Sequence, residues 1–391
     1  MISRTEAQKL ISDSISILGI TNKDVLDCLD YVLAEDLVSK LDLPPFDKSA
    51  MDGYAVADNE SADELEVIET VQAGQLPKNK IIAGKSIKIM TGAPIPKNTG
   101  KVIMKENVQA LDSSNIKIIN RSHKTNICYK GEDVKKGQII YRQGKTINPI
   151  ALANIISSGI SKVKVYRKPS VGIIVTGDEL LEPGSTYTAG KIYNSNGPLL
   201  QNVLLKNGIN EVNSYMADDN IKGLSSTLKT ALAENDLVVM TGGISVGEFD
   251  FTKTVLEQIG AKEIFHKIDI KPGKPVAFFK YQDKPIFALP GNPVSVYLSF
   301  YLFVLPAIHR MRNFLPEFEI IKTQLKKDIH IKKPSSREHF LPVIFDGEHI
   351  DFPEYHGSGH LFALDECNAF LVVPNNCSVL RNKMIVDVLI S

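Results

Sequence analysis

Apolar and polar positions follow several rhythms along the chain. Near the start, Ala7, Leu10, Ile11, Ile15 and Leu18 recur at helical spacing behind Ser3 and Glu6, which can form a capping box, so an amphipathic first helix is expected. After Val38 the pattern breaks. Residues 43–54 carry Pro44, Pro45, Asp47, Ser49, Asp52 and Gly53, and their prolines forbid regular structure. An extended loop is expected there, with Asp52 as its candidate site residue. From Val56 to Tyr141, short apolar runs at 67–71, 86–90, 101–104 and 116–119 lie between Gly, Pro and Asn, the signature of a small β region. Thr91-Gly92-Ala93-Pro94 and Gly131-Glu132-Asp133 are turn clusters within it. Asn148, Pro149 and Gly159 then bracket a helix over 150–158, a strand follows at 162–166, and Lys168-Pro169-Ser170 marks a boundary.

Beyond that boundary strands alternate with helices. Runs at 171–175, 210–216 and 237–240 read as strands; 196–206, 221–233 and 251–259 read as helices. This order implies a parallel sheet with helices on both faces and ligands at the strands' carboxyl ends. The run 237–240 stops at Thr241-Gly242-Gly243, with Ser245, Glu248 and Asp250 just after. Adjacent glycines allow positive φ and close approach to a ligand, although a plain strand-to-helix connection carries the same punctuation. Glu179, Asp218 and Asp250 fall at or beyond strand ends. If they converge they repel one another unless a cation sits among them, and hard oxygen ligands favour Mg²⁺; three solvated turn acids are the alternative. Lys267, Lys271 and Lys274 surround a Pro-Gly turn and offer either an anion-binding edge or a solvated charged turn. A strand at 285–289 leads through Pro290-Gly291-Asn292-Pro293 into 294–305, apolar almost all round and therefore a buried helix ending at Pro306. Ser295 lies in its first turn, where amide hydrogens favour an anion or serve a simple cap. From 319 onward, runs at 319–325, 340–345, 370–373 and 384–389 describe a second small β domain, which carries Arg337 and the loop His356-Gly357-Ser358-Gly359-His360.

Composition narrows the partners. Forty-five basic residues balance forty-five acidic ones, which predicts no general affinity for nucleic acid or an anionic membrane, so any anion site must be local. The four cysteines, Cys28, Cys128, Cys367 and Cys377, form no C-x-x-C pair, which suits reduced thiols in a cytoplasmic protein. The first ten residues are too polar for a signal peptide, and no apolar run approaches the roughly eighteen residues of a membrane span. Gly84-Lys85-Ser86 imitates the end of a P-loop, but position 79 is Asn and no helical pattern follows.

Taken in order, PPFDKSAMDGYAV, MTGAPIP, GED, VTGDEL, NSN, TGGISVGEFDFTK, IKPGKP, LPGNPVS and GSG closely resemble the MoeA family, which includes the gephyrin E domain. The likeness spans nearly the whole chain. It implies an α/β multidomain protein: residues 1–43 with 136–168 as an N-terminal elongated α/β domain, 44–135 as an inserted β domain, 169–311 as a three-layer α/β/α molybdopterin-binding domain with a central parallel sheet, and 312–391 as a C-terminal β-barrel-like domain. It implies a cytoplasmic molybdopterin molybdenumtransferase that, with Mg²⁺, hydrolyses adenylylated molybdopterin and inserts molybdenum from molybdate into the dithiolene, releasing AMP. The homodimer typical of the family, with a cleft involving both chains, is expected, and contact with a molybdopterin adenylyltransferase would supply the substrate. The resemblance assigns Glu179, Asp218 and Asp250 to Mg²⁺ and the adenylate end, joined in the catalytic set by Asp52, Thr91 and Asp133. It assigns Gly242, Gly243, Ser245, Lys267, Lys271, Lys274, Ser295, Arg337 and Ser358 to molybdate and the pterin phosphate.

Two positions depart from the family pattern. Ile127-Cys128-Tyr129-Lys130 offers one lysine where relatives often carry arginines, and Asn194 stands where many have Asp. The central domain taken alone also resembles molybdopterin adenylyltransferases and some nucleotide amidases, but the Pro-Pro-Phe-Asp loop and the C-terminal β domain argue against those readings. A scaffolding role like gephyrin's is disfavoured by the lack of a long linker and a fused adenylyltransferase domain.

Overall fold

The computed structural model describes residues 1–243, 251–314 and 320–391. The chain divides into two compact units, residues 22–165 and residues 1–21 with 166–391.

In the smaller unit a six-stranded sheet runs in the order Lys101–Met104, Gly53–Val56, Lys85–Ile89, Glu64–Val71, Asn115–Ile118, Val108–Ala110. Alternating side chains bury Ala55, Ile87, Ile89 and Val102 in one cluster and Val56, Leu65, Ile103 and Ile116 in another, so both faces of the sheet are covered. Gly53–Val56, second in the sheet, has only four residues, too few to show periodicity beside the Asp52-Gly53 turn. The helix Pro149–Ser157 starts where expected: Asn148 accepts the Ala151 N–H at 2.8 Å, and Pro149 needs no partner for a missing N–H. Its Ala151 and Ile155 pack with Val25, Leu33, Val163 and Val165. Two short ladders, Leu37–Val38 with Ile139–Tyr141 and Lys48–Ser49 with Ile127–Cys128, hold the Pro-rich loop in place.

The larger unit is built on a six-stranded sheet in the order Val212–Ala217, Val171–Thr176, Leu237–Thr241, Lys284–Leu289, Ala277–Tyr281, Lys262–His266. The first four strands are parallel, and every residue of Val171–Thr176 and Leu237–Thr241 is buried, as a strand covered on both faces requires. Ala277–Tyr281 runs antiparallel to Lys284–Leu289 because Tyr281 pairs with Lys284 across the two-residue turn Gln282-Asp283, with Gln282 at φ 54°, and a two-residue hairpin can only reverse direction; Lys262–His266 pairs antiparallel with Ala277–Tyr281 and so points the same way as the first four strands. Asn196–Lys206 and the long apolar helix cover one face; Ile221–Glu234 and Phe251–Gln258 cover the other. The first helix, Arg4–Ser14, capped by Ser3 Oγ on the Glu6 N–H at 3.1 Å, buries Ala7, Ile11 and Ile15 in this core. By its packing it belongs to the larger unit.

The apolar helix does not stop at Pro306. It runs as Pro293–Ser299, one widened turn Phe300–Val304, and Leu305–Met311, the wide turn taking up the N–H that Pro306 lacks. It is the one helix among the described residues with the length and hydropathy to cross a membrane, yet 83% of it is buried inside the fold. The C-terminal sheet is ordered Ile270–Lys271, Glu338–Phe345, Ala369–Val373, Ile385–Ile390, Ile320–Gln324. Its first strand comes from the lysine-rich loop, which sets Lys271 beside the β domain's Arg337 and His339.

Candidate functional site

At the carboxyl edge of the parallel strands, Gly242 sits at φ 89° and Gly243 at φ 62°. A Cβ on Gly242 would lie 2.0 Å from the Thr176 carbonyl oxygen, and one on Gly243 would lie 2.8 Å from Thr252 Oγ1. The loop therefore presses against the neighbouring strand as only glycine permits. Thr241 is fully buried; its hydroxyl donates to the Pro290 carbonyl at 3.0 Å and accepts from Asn196 Nδ2 at 3.2 Å. Asn196 Nδ2 also donates to the Gly291 carbonyl at 2.7 Å, so one side chain ties together the ends of two strands and a helix start. Asn194 accepts the Gly197 N–H at 3.0 Å, the capping task that an Asp would perform there.

The acids expected at this edge do not all converge. Asp219 accepts from Thr176 Oγ1 at 3.3 Å. Burial pushes its carboxyl above the usual range, against the Thr176 bond, and the nearby charges of Asp178 and Glu179 push it further. Glu179 folds back over its own loop, its Oε2 2.7 Å from the point where a Cβ on Gly177 would sit. Asp218 is exposed and lies instead against Gly223, in the first turn of Ile221–Glu234, where Asn220 accepts the Gly223 N–H at 2.8 Å. Both acids lie just past the strand, which ends at the buried Ala217, and in that turn Asp219 is half-buried beside Thr176 while Asp218 is exposed. Asp250 and Ser245 lie outside the described residues. Among the described residues no three acidic, His or Cys side chains gather as a metal cage.

The basic edge lies on the same unit. Lys271 pairs in register with His339 across a parallel ladder, and Arg337 Nη1 donates to the Ile270 carbonyl at 3.0 Å, so Lys271 and Arg337 come together. Burial first, then these two cations, push the His339 pKa down to about 4. Lys267, at φ 72°, and Lys274 flank the same loop; their carbonyls accept the N–H groups of Ile2 and Ile268 at 3.3 and 3.0 Å. Ser295 is 3% exposed in the first turn of Pro293–Ser299. Ser358 docks on that turn, its carbonyl accepting the Val294 N–H at 3.2 Å and its hydroxyl accepting from Asn292 Nδ2 at 3.0 Å. One of the helix's free amide hydrogens is thus already satisfied. A separate cleft of about 520 Å³ lies beside Arg4, Asp269 and Asp387 and contains none of these residues.

In the smaller unit, Asp52 Oδ1 accepts both the N–H and the hydroxyl of Thr91 at 2.8 Å, with Lys105 Nζ 3.5 Å from Oδ2. The Thr91 N–H and hydroxyl, helped by Lys105, hold this carboxyl below its usual range and so keep it ionised. Asp133 is exposed at the end of the Gly131 turn, its N–H bonded to the Leu43 carbonyl at 2.9 Å. Burial, then Glu132 and Asp133, push the nearby Cys128 thiol upward against Lys48. Lys130 is engaged by Asp42 at 3.4 Å. Lys105 was not anticipated; it follows Met104 directly at the end of a strand paired with Gly53–Val56, a contact that only the sheet order reveals.

Comparison with known proteins agrees with this architecture over its whole length. Residues 2–159 match the MoeA N-terminal region (domain I and II), residues 172–310 a "Probable molybdopterin binding domain", and residues 324–390 the MoeA C-terminal region (domain IV). A molybdopterin molybdenumtransferase of Staphylococcus epidermidis is 33% identical over 100% of this chain and 96% of its own length; one from Staphylococcus aureus is 31% identical over 98% and 94%. The crystal structure of the molybdopterin biosynthesis moeA protein from Pyrococcus horikoshii OT3 superposes with a TM-score of 0.80 at 32% identity, covering 100% of both chains. With its three regions, its sheet orders and its full-length relatives all in agreement, the chain belongs to the MoeA family.

Proposed function

We propose that the protein is a cytoplasmic molybdopterin molybdenumtransferase. It hydrolyses adenylylated molybdopterin in a Mg²⁺-dependent step and inserts molybdenum from molybdate into the dithiolene, with AMP as the leaving product. The observation that carries this reading is the crowding of Asp178, Glu179 and Asp219 at the carboxyl edge of the parallel strands, where Asp219 is pushed up by burial and by its acidic neighbours. Such crowding is relieved by a hard cation, and Mg²⁺ commonly takes one or two carboxylates and completes its shell with water and substrate phosphate oxygens. Glu179 and Asp219 would hold it, with Asp218 and Asp250 as the further acids of the proposed set; bound there, Mg²⁺ would neutralise charge on the phosphates.

Lys271 and Arg337 hold an oxyanion by charge and by the fork of guanidinium donors, and Lys267 and Lys274 add to the local positive field. Gly242 and Gly243 lie close against the strand ends and put no side chain there. In the smaller unit Asp52, kept ionised by Thr91, acts as a fixed acceptor for a substrate hydroxyl or amine, with Asp133 as a second one. Sulfur for the molybdenum comes with the substrate: Cys128, the thiol near Asp133, is pushed away from its thiolate form and makes a poor metal ligand. The reading includes a homodimer supplied by a molybdopterin adenylyltransferase.

The test measures AMP release from adenylylated molybdopterin with Mg²⁺, with and without molybdate, and scores the product by reconstitution of a cofactor-free molybdoenzyme. AMP release with reconstitution supports the transferase. Neither would direct the search to other pterin or nucleotide substrates. Asp250→Ala is expected to fold and to lose Mg²⁺-dependent turnover, and light scattering is expected to give twice the 43.1 kDa chain mass.

A further inference from the structure

His339 received no role from the sequence, yet it lies where charge is concentrated. It is 7% exposed, faces Lys271 as its register partner on one side and Val373 on the other, and follows Arg337 by two positions. Its Nδ1 is buried and has no hydrogen-bond partner. Neither Lys271 nor Arg337 forms an ion pair among the described residues, and the closest carboxylate in sequence, Glu338, is turned to the opposite face of the strand and chelated by Arg4 at 2.9 and 3.0 Å. Two uncompensated cations therefore flank a buried imidazole with an unused nitrogen. A fold does not hold that combination for stability, because the cations repel and the protein gives the buried nitrogen no hydrogen-bond partner.

We propose that His339 is a binding residue of the oxyanion subsite it forms with Lys271 and Arg337, where it gives a neutral hydrogen bond to a doubly charged tetrahedral oxyanion. The subsite's charge is set at two because the imidazole, its pKa held down to about 4 by burial and the flanking cations, stays neutral near pH 7. A neutral imidazole always offers one N–H donor, whichever nitrogen carries it. Two positive charges and a neutral donor match a fully ionised dianion, and the third cation that a lysine would supply is avoided. The choice of anion rests on the function proposed above, and the geometry does not. Molybdate and the phosphate of the pterin share this chemistry.

The test titrates sodium molybdate and, separately, inorganic phosphate into the full-length protein by calorimetry, using the parent, His339→Gln, His339→Phe and Lys271→Ala. His339→Gln keeps a neutral donor and is expected to bind within about threefold of the parent, whereas His339→Phe is expected to weaken binding by about tenfold or more, the effect of one charge-assisted hydrogen bond. The anion whose binding drops identifies the source. A folded His339→Phe that titrates like the parent with both anions overturns the proposal. Should that variant fail to fold, ¹⁵N spectra of the parent's His339 imidazole decide: a shift on adding molybdate or phosphate supports the role, and unmoved resonances overturn it. Anion binding that depends on His339 without AMP release removes the transferase reading and leaves this one standing; AMP release with His339-independent binding does the reverse.

Discussion

Gly242→Ala isolates what the double glycine contributes. At φ 89° an L side chain costs about 1–2 kcal/mol before any contact is counted. The added Cβ would then lie 2.0 Å from the Thr176 carbonyl oxygen, so the two strand ends must part by roughly 1 Å to reach the ~3 Å of a tolerable contact. They sit at the end of a parallel ladder in which Val175 pairs with Thr241, and moving them also strains the Thr241 bond to Pro290. A total of about 4 kcal/mol is expected, among the larger effects a single substitution produces. For a unit of this size that corresponds to a fall in Tm of roughly 8–15 °C. Gly291→Ala is the matched control: nothing lies within 4 Å of its added Cβ and its φ is ordinary, so its effect should stay within about 0.5 kcal/mol. Thermal unfolding of the two variants beside the parent provides the assay. A Gly242→Ala protein melting within about 2 °C of the parent would refute the close-approach argument.

Asp236 accepts from both Arg167 terminal nitrogens at 2.7 and 2.9 Å and from the Ser170 N–H and hydroxyl at 2.9 and 3.0 Å; with Arg167 nearly half exposed, Asp236→Asn is expected to cost about 2 kcal/mol at pH 7. Burial would raise that carboxyl, but Arg167 and Ser170 outweigh it and lower it, so the stabilisation is present above the unfolded value of 3.8 and fades as pH falls through the folded one. Urea midpoints of parent and variant should therefore stay apart from pH 7 down to about pH 4 and draw together below it, and a gap that stays constant on further acidification would contradict the pairing. Thr91→Val removes one of the two Thr91 donors to Asp52 and should move that carboxyl back up toward its ordinary value, read by ¹³C titration of the side chain; an unmoved titration would count against the hydrogen bond. Lys271→Ala is expected to raise the molybdate concentration for half-maximal AMP release by about tenfold, and an unchanged molybdate dependence would remove Lys271 from the anion site.

Where the chemistry of one element decides its form, the sequence was legible. Ser3 with Glu6, and Asn148 with Pro149, marked helix starts because caps act within one turn. Val171–Thr176 and Leu237–Thr241 were visible as apolar runs because both of their faces are buried. Features that depend on what lies alongside were hidden. The antiparallel hairpin of Ala277–Tyr281 with Lys284–Leu289 depends on one tight turn at Gln282, a residue with no turn signature. Pro306 reads as a stop, yet tertiary burial of Phe300–Val304 outweighs the lost hydrogen bond and the helix continues. The same division runs through the site. Asp52 and Thr91, 39 residues apart, each stand in a turn cluster and the sheet joins them, whereas Asp218 and Asp219 are adjacent and only their contacts in the fold, Gly223 for one and Thr176 for the other, tell them apart.

The formal charge of zero hides two local fields of opposite sign. On the larger unit, Asp178, Glu179 and Asp219 crowd one edge, while Lys271 and Arg337 stand without ion-pair partners among the described residues at another. A fold selected for stability alone would pair these groups with each other, since opposite charges brought together cost less than like charges held apart. Here the carboxylate next to Arg337 in sequence is occupied elsewhere: Glu338 is held by Arg4. The groups left over are the ones that a cation and an oxyanion would satisfy. The neutral balance of the whole chain gives it no net field toward nucleic acid or an anionic surface, so on the proposed function the selectivity for small charged ligands would come from keeping each field local.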